Sequence, residues 1–179
     1  CPIIGINQVF EDSDVEPPSI SATAKIYSDR LQSLYPTGPY DLLGWSYGGT
    51  VAHEMAVELQ RRGHEVRRLI LLDSLPTTSA ESVAAANQLP EQSEVLEQVL
   101  RFIGIELPKD GIPLTYEMAE LLACEAESTT NFGSRFSYFR ALLEFIVDKA
   151  EAAAGHLSEH VPSIFHGDMF IFSAAQRES

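Results

Sequence analysis

Residues 38–49 read Gly38-Pro39-Tyr40-Asp41-Leu42-Leu43-Gly44-Trp45-Ser46-Tyr47-Gly48-Gly49. Thr37-Gly38-Pro39 breaks the preceding pattern, and Tyr40 to Leu43 is a short apolar run of the kind expected in a buried strand. Val51, Ala52, Met55, Ala56 and Leu59 then recur on one helical face, with Gly63 as the expected C-terminal stop. Gly44-x-Ser46-x-Gly48 therefore sits between a strand and an amphipathic helix, the arrangement of a nucleophile elbow. A serine on such a turn needs a strained backbone so that its hydroxyl stands above the sheet edge. Glycines two residues before and after it keep strand and helix from clashing. The Tyr47 N–H, at the helix N-terminus, is placed to stabilise an oxyanion. At a glycine usage of about 7% the bare pattern arises by chance in about one chain in twenty of this length. The flanking strand and helix carry the reading; the competing one is a glycine-rich turn with a structural serine.

Outward from this stretch, the first 78 residues alternate apolar runs with helical patterns, the signature of an α/β parallel sheet. Pro2 to Ile6 reads as a buried strand and Glu11 to Pro18 as an acidic loop. A helix runs from about Ser21 to Pro36, marked by Ile26, Ser28, Leu31 and Leu34. Val66 and Leu69-Ile70-Leu71-Leu72 form a further strand ending on Asp73. Such continuous runs predict strands buried on both faces. Asp73 lies about one helix, one loop and one strand after Ser46, which puts both on the same rim of adjacent parallel strands. A carboxylate there can orient a histidine and stabilise its imidazolium; the alternative is a turn or capping aspartate ahead of Ser74 and Pro76.

From about 79 to 165 the pattern is helical. One stripe comprises Val95, Leu96, Val99, Leu100 and Ile103. Another comprises Met118, Leu121 and Leu122, behind a Thr115 N-cap. The longest comprises Phe139, Leu142, Leu143, Ile146, Val147 and Ala150, with Gly155 expected to close it. Asp168 to Ser173 is a final strand. The expected organisation is one domain, with a core over 1–78 and 166–179 and a helical lid over about 79–165. Phe132, Phe136, Tyr138 and Phe139 read either as helical packing or as a substrate channel.

Composition narrows the function. The formal net charge of −14 opposes binding to nucleic acid, which needs Lys and Arg to displace counterions, and to anionic membranes. No apolar run approaches the roughly 20 residues that span a bilayer. Two cysteines, Cys1 and Cys124, are too few for a disulfide framework or metal cluster and fit a reducing, cytoplasmic location. His53-Glu54 lacks the second histidine of a zinc helix, since position 57 is Val57. No metal and no nucleotide is expected. His53, His64, His156, His160 and His166 are read as surface or interface residues, and none is assigned as a base.

Residues 38–49 resemble the elbow of type I thioesterase domains of nonribosomal peptide synthetases, members of the α/β-hydrolase superfamily. Ala52-His53-Glu54-Met55-Ala56, with Leu59 and Gly63, resembles that family's elbow helix. Leu69-Ile70-Leu71-Leu72-Asp73-Ser74 resembles the strand carrying its triad acid. Pro2 to Asn7 and Gly167 to Phe172 resemble further strands, and the helical region resembles the lid over the acyl chamber. The resemblance implies an α/β-hydrolase fold, Ser46 as nucleophile, Asp73 as triad acid, the Tyr47 N–H in the oxyanion hole and Trp45 beside the acyl chamber; core packing is Trp45's alternative role. It further implies an acyl or peptidyl substrate presented on the phosphopantetheine of a carrier protein in cis, with no bound cofactor and release by hydrolysis or cyclisation. The family's opening strand and His-Pro-like loop, whose backbone supplies the second oxyanion donor, and its histidine beyond the Asp168–Phe172 strand have no counterpart here, so the expectation is a domain truncated at both ends. Two alternatives stay open: a free-standing hydrolase or proofreading thioesterase, and a non-catalytic module that binds acyl groups or a carrier.

Overall fold

A computed structural model of the chain describes residues 3–6, 17–74, 91–109, 111–127 and 138–174. The chain divides into two compact units, one of Cys1–Val83 with His156–Ser179 and one of Ala84–Gly155.

In the first unit α1 spans Ile20–Leu34. Ser19 is its N-cap, extended at φ −163°, with its hydroxyl accepting from the Ala22 N–H at 3.2 Å. Its buried face is Ile20, Ala24, Tyr27 and Leu31 at helical spacing. β1 follows at Tyr40–Trp45, α2 at Tyr47–Arg61 and β2 at Val66–Leu72. Gly63 ends α2 as expected. Its φ of +84° lets the His64 N–H reach the Leu59 carbonyl (3.0 Å) and its own N–H reach that of Gln60 (2.9 Å), a Schellman motif. β3 is Met169–Phe172, and the parallel sheet has the order β1-β2-β3. Leu42, Leu69 and Leu71 meet Val51, Ala52, Met55, Ala56 and Leu59 of α2 and the stripe of α1 in one core.

Two expectations fail here. Residues 3–6 form no strand, and Ile3 is 97% exposed; Pro2 lies outside the described residues. A strand needs a partner for its backbone groups, and none of the described strands pairs with this segment. Nor is the sheet buried on both faces. β1 alternates buried and exposed, leaving Leu43 62% and Trp45 64% exposed. Leu43 pairs with Ile70 and Trp45 with Leu72, which pair in turn with the exposed Phe170 and Phe172. The core gathers α1 and α2 on the opposite face. An apolar run has the same composition whether one or both faces are covered, which is why the sequence misled.

The second unit contains only helices among the described residues. α3 (Gln92–Phe102) begins with Glu94 reaching back to the Glu91 N–H at 3.3 Å. α4 (Tyr116–Glu127) begins with the expected cap, Thr115 accepting from the Met118 N–H at 3.3 Å. α5 (Phe139–Glu159) supplies Leu143 and Val147 to a core with Val95, Leu96, Leu100, Leu114 and Ala119. Gly155 does not close α5 as expected. A helical glycine costs about 1 kcal/mol, and beyond it Leu157 packs against the core of the first unit. Phe132 and Phe136 of the aromatic run lie outside the described residues; Tyr138 is exposed, and Phe139 packs on the second core.

Candidate active site

One residue, Ser46, separates β1 from α2. It has φ 51° and ψ −127°, a conformation that costs a residue other than glycine about 1–3 kcal/mol. Hydrogen bonds hold it there. Its N–H donates to the Leu72 carbonyl of the neighbouring strand at 2.8 Å, and its carbonyl accepts from the Gly49 N–H at 2.8 Å. Its side chain is exposed and makes no capping bond to α2, so the hydroxyl is left for chemistry.

The glycines explain how so sharp a turn packs. A Cβ on Gly44 would lie 2.2 Å from the Gly48 carbonyl oxygen and 2.5 Å from the Gly49 Cα, and one on Gly49 would lie 2.4 Å from the Ser74 Cβ. A Cβ on Gly48 would meet nothing within 4 Å. The helix-side glycine that must stay small is therefore Gly49 and not, as the motif suggested, Gly48.

Asp73 stands one strand away. Trp45 pairs with Leu72, and Leu72 with Phe172, so Ser46, Asp73 and Ser173 each follow the last paired rank on one rim. Asp73 also has a left-handed backbone, φ 46°. Its N–H donates to the Phe172 carbonyl at 2.7 Å, and its carboxylate accepts from the Ala174 N–H. The end of β3 thus orients the acid, which caps no described helix. Tyr47, the first residue of α2, is half-buried, and its hydroxyl is hydrogen-bonded to His156 Nδ1 at 3.1 Å. Trp45 sits on the uncovered face at the same rim, outside the core that was its alternative place.

The histidines are dispersed. His64 bonds Gln32 and lies edge-on to Tyr40. His166 clasps Gln60 through its backbone, its carbonyl accepting at 2.6 Å and its N–H donating at 3.1 Å, on the rim opposite Ser46. His53 and His160 are not surface residues, because both flank the buried Glu54. Glu54 Oε1 is 3.5 Å from His53 Nδ1 and 3.4 Å from His160 Nε2. The Ser163 N–H and hydroxyl donate to the same carboxylate at 2.8 and 3.0 Å. Burial alone pushes the Glu54 carboxyl up, but the close approach of the His160 and His53 rings and the two bonds from Ser163 outweigh it and hold the group far below the usual carboxylate range. The sequence reading missed this cluster. Its signal was a pair of ionisable residues, His53-Glu54, inside the wholly buried stretch 49–56. Among the described residues no histidine is hydrogen-bonded to Ser46 or Asp73, no group of three or more His, Cys, Asp or Glu is placed to hold a metal, and no helix is long and apolar enough to cross a membrane.

Comparison with known proteins now supplies the family. The family model of the thioesterase domain matches residues 6–155. Malpibaldin synthetase of Mortierella alpina is 30% identical over 153 residues, covering 86% of this chain and 2% of that protein. The dimodular nonribosomal peptide synthase of Bacillus subtilis (strain 168) is 28% identical over 158 residues, covering 87% and 6%. Among solved structures, the NocB thioesterase domain in covalent complex with a fluorophosphonate nocardicin G analog superposes with a TM-score of 0.56 at 22% identity, over 89% of this chain and 55% of that one. A holo four-domain nonribosomal peptide synthetase bound to AMP and glycine gives 0.56 at 20%, over 94% and 13%. The fold is that of the α/β-hydrolases, its parallel sheet flanked by helices. The chain belongs to the thioesterase domain family. It spans only a small part of these curated relatives, 2% and 6% of their lengths.

Proposed function

We propose that this chain is the serine hydrolase centre of a carrier-dependent thioesterase. The Ser46 hydroxyl attacks the thioester carbonyl of an acyl or peptidyl group carried on phosphopantetheine. The C–S bond breaks, the thiol leaves with a proton, and an ester to Ser46 remains. Water, or a nucleophile of the bound acyl or peptidyl group itself, then attacks the ester carbonyl, releases the group as acid or macrocycle, and returns the proton to Ser46. The observation that carries this reading is the strained, exposed, non-capping Ser46 between β1 and α2, one strand from Asp73. The Tyr47 N–H at the start of α2 is the oxyanion donor. Asp73 serves the base histidine, a role assigned to none of the five in this sequence. Trp45 lines the path of the acyl group, and the helical region over about 79–165 acts as the lid. The protein needs no cofactor of its own and works in the cytoplasm.

The carrier acts in cis. The relatives are large synthetases of which this chain matches a small part. A net charge of −14 would repel an acidic carrier in free solution, and a tether on one polypeptide removes the need for steering by raising effective concentration. The test offers the same acyl group on a holo-carrier domain and as a small oxygen ester. Acylation of the Ser46 peptide from the carrier, read by mass, with the small ester turned over more slowly, is the expected result. Turnover of the small ester beside an untouched carrier thioester would make the protein a free-standing hydrolase. Carrier binding without any covalent acyl group would make it a binding module.

A further inference from the structure

The first turn of α2 is held on its glycine side, where Gly48 and Gly49 pack against Gly44 and Ser74 and the Gly49 N–H donates to the Ser46 carbonyl. Tyr47 is followed by Gly48 and Gly49, the residue type with the most backbone freedom. The first N–H groups of a helix also receive no intrahelical bond. Yet this turn presents both the nucleophile and the proposed oxyanion donor.

A further brace, on its opening residue, comes from 109 residues away. Tyr47 and Glu54 lie seven residues apart, about two turns, on one side of α2. His156 and His160 lie four apart at the end of α5. Tyr47 meets His156 through the hydrogen bond to Nδ1 at 3.1 Å, their rings stacked with centroids 6.4 Å apart at 28°. Glu54 meets His160 at 3.4 Å. Leu157 packs into the adjoining core, and all these residues belong to one compact unit. The second contact anchors the helix two turns in; the first reaches its opening residue.

We propose that His156 is a positioning residue for the elbow. By holding the Tyr47 ring at its hydroxyl, it fixes the Tyr47 backbone N–H relative to the Ser46 hydroxyl. The inference rests on the reading of Ser46 as nucleophile and of the Tyr47 N–H as oxyanion donor. His156 touches no substrate; it acts through Tyr47.

The experiment follows two signals in the whole chain: the Tyr47 amide resonance, and the rate at which a fluorophosphonate labels Ser46. His156→Ala is expected to move the Tyr47 amide resonance and to slow labelling about fivefold, as loss of one net hydrogen bond implies. His156→Asn, whose side-chain amide offers both a donor and an acceptor to the tyrosine hydroxyl, should restore both signals. Tyr47→Phe should reproduce His156→Ala, and combining the two should add nothing further. Tyr47→Phe removes one oxygen, so it decides the matter even if His156→Ala fails to fold. A Tyr47 amide indifferent to His156→Ala and Tyr47→Phe, or an asparagine that restores neither signal, would overturn the proposal. If the amide responds as described while no variant is labelled at Ser46, the positioning stands and the nucleophile reading is the one that fails.

Discussion

Gly44→Ala should destabilise the protein by about 3 kcal/mol or more, at the upper end of what an overpacked site costs. The added methyl would sit 2.2 Å from the Gly48 carbonyl oxygen and 2.5 Å from the Gly49 Cα. Both obstacles are backbone, so no rotamer change relieves the clash. Relief requires α2 to move away from β1, yet Val51, Ala52, Met55, Ala56 and Leu59 of that helix are buried in the core. Gly48→Ala is the matched control. Its methyl would meet nothing, its φ is not positive, and it removes a flexible residue from a helix. It should be neutral or stabilising by up to about 1 kcal/mol. Urea titrations of the two variants, compared at their midpoints, check the contrast. Equal losses would mean that the packing of the elbow differs from that described here.

Glu54→Ala is the second large effect, about 2–4 kcal/mol, from leaving two buried donors without a charged acceptor. The carboxylate is 5% exposed, and its loss would leave the Ser163 N–H and hydroxyl without their acceptor and a void beside the buried His53 and His160 rings. Glu54→Gln should lose less, because the amide oxygen can still accept from Ser163. The sign of the pH dependence follows from the carboxyl being held below its ordinary value of 4.5. Its stabilising contribution is complete above that value and is lost as pH falls below it toward the depressed folded value. Wild type and Glu54→Gln should therefore differ most near neutral pH and converge in acid. Denaturant unfolding of both proteins from pH 7 down to pH 3 reads this directly, and a gap that widens in acid would contradict it.

What could be read from the sequence was local. Ser46 was legible because its glycines lie between a short apolar run and a stripe at helical spacing, and Asp73 because a parallel sheet returns to the same rim after one helix and one strand. Contacts made across long separations were not legible. Gly48 and Gly49 are adjacent in sequence, and only the approach of Ser74 shows that the second is the confined one. Glu54 finds Ser163 109 residues away, and Tyr47 finds His156 at the same separation, with nothing periodic to announce either. The stop expected at Gly155 failed for a related reason. Local propensity argued for an end, while Leu157 had a core to reach. The apolar runs of β1 and β2 suggested cover on both faces, yet Leu43 and Trp45 stand exposed, since composition does not reveal how many neighbours a strand has.

The account turns on Ser46 as nucleophile, and treating the folded chain with a fluorophosphonate probe, then mapping adducts by mass spectrometry, tests that most directly. The predicted result is one adduct, on Ser46, absent from Ser46→Ala. Labelling that survives Ser46→Ala, or an unlabelled Ser46 in a chain shown to be folded, would contradict it.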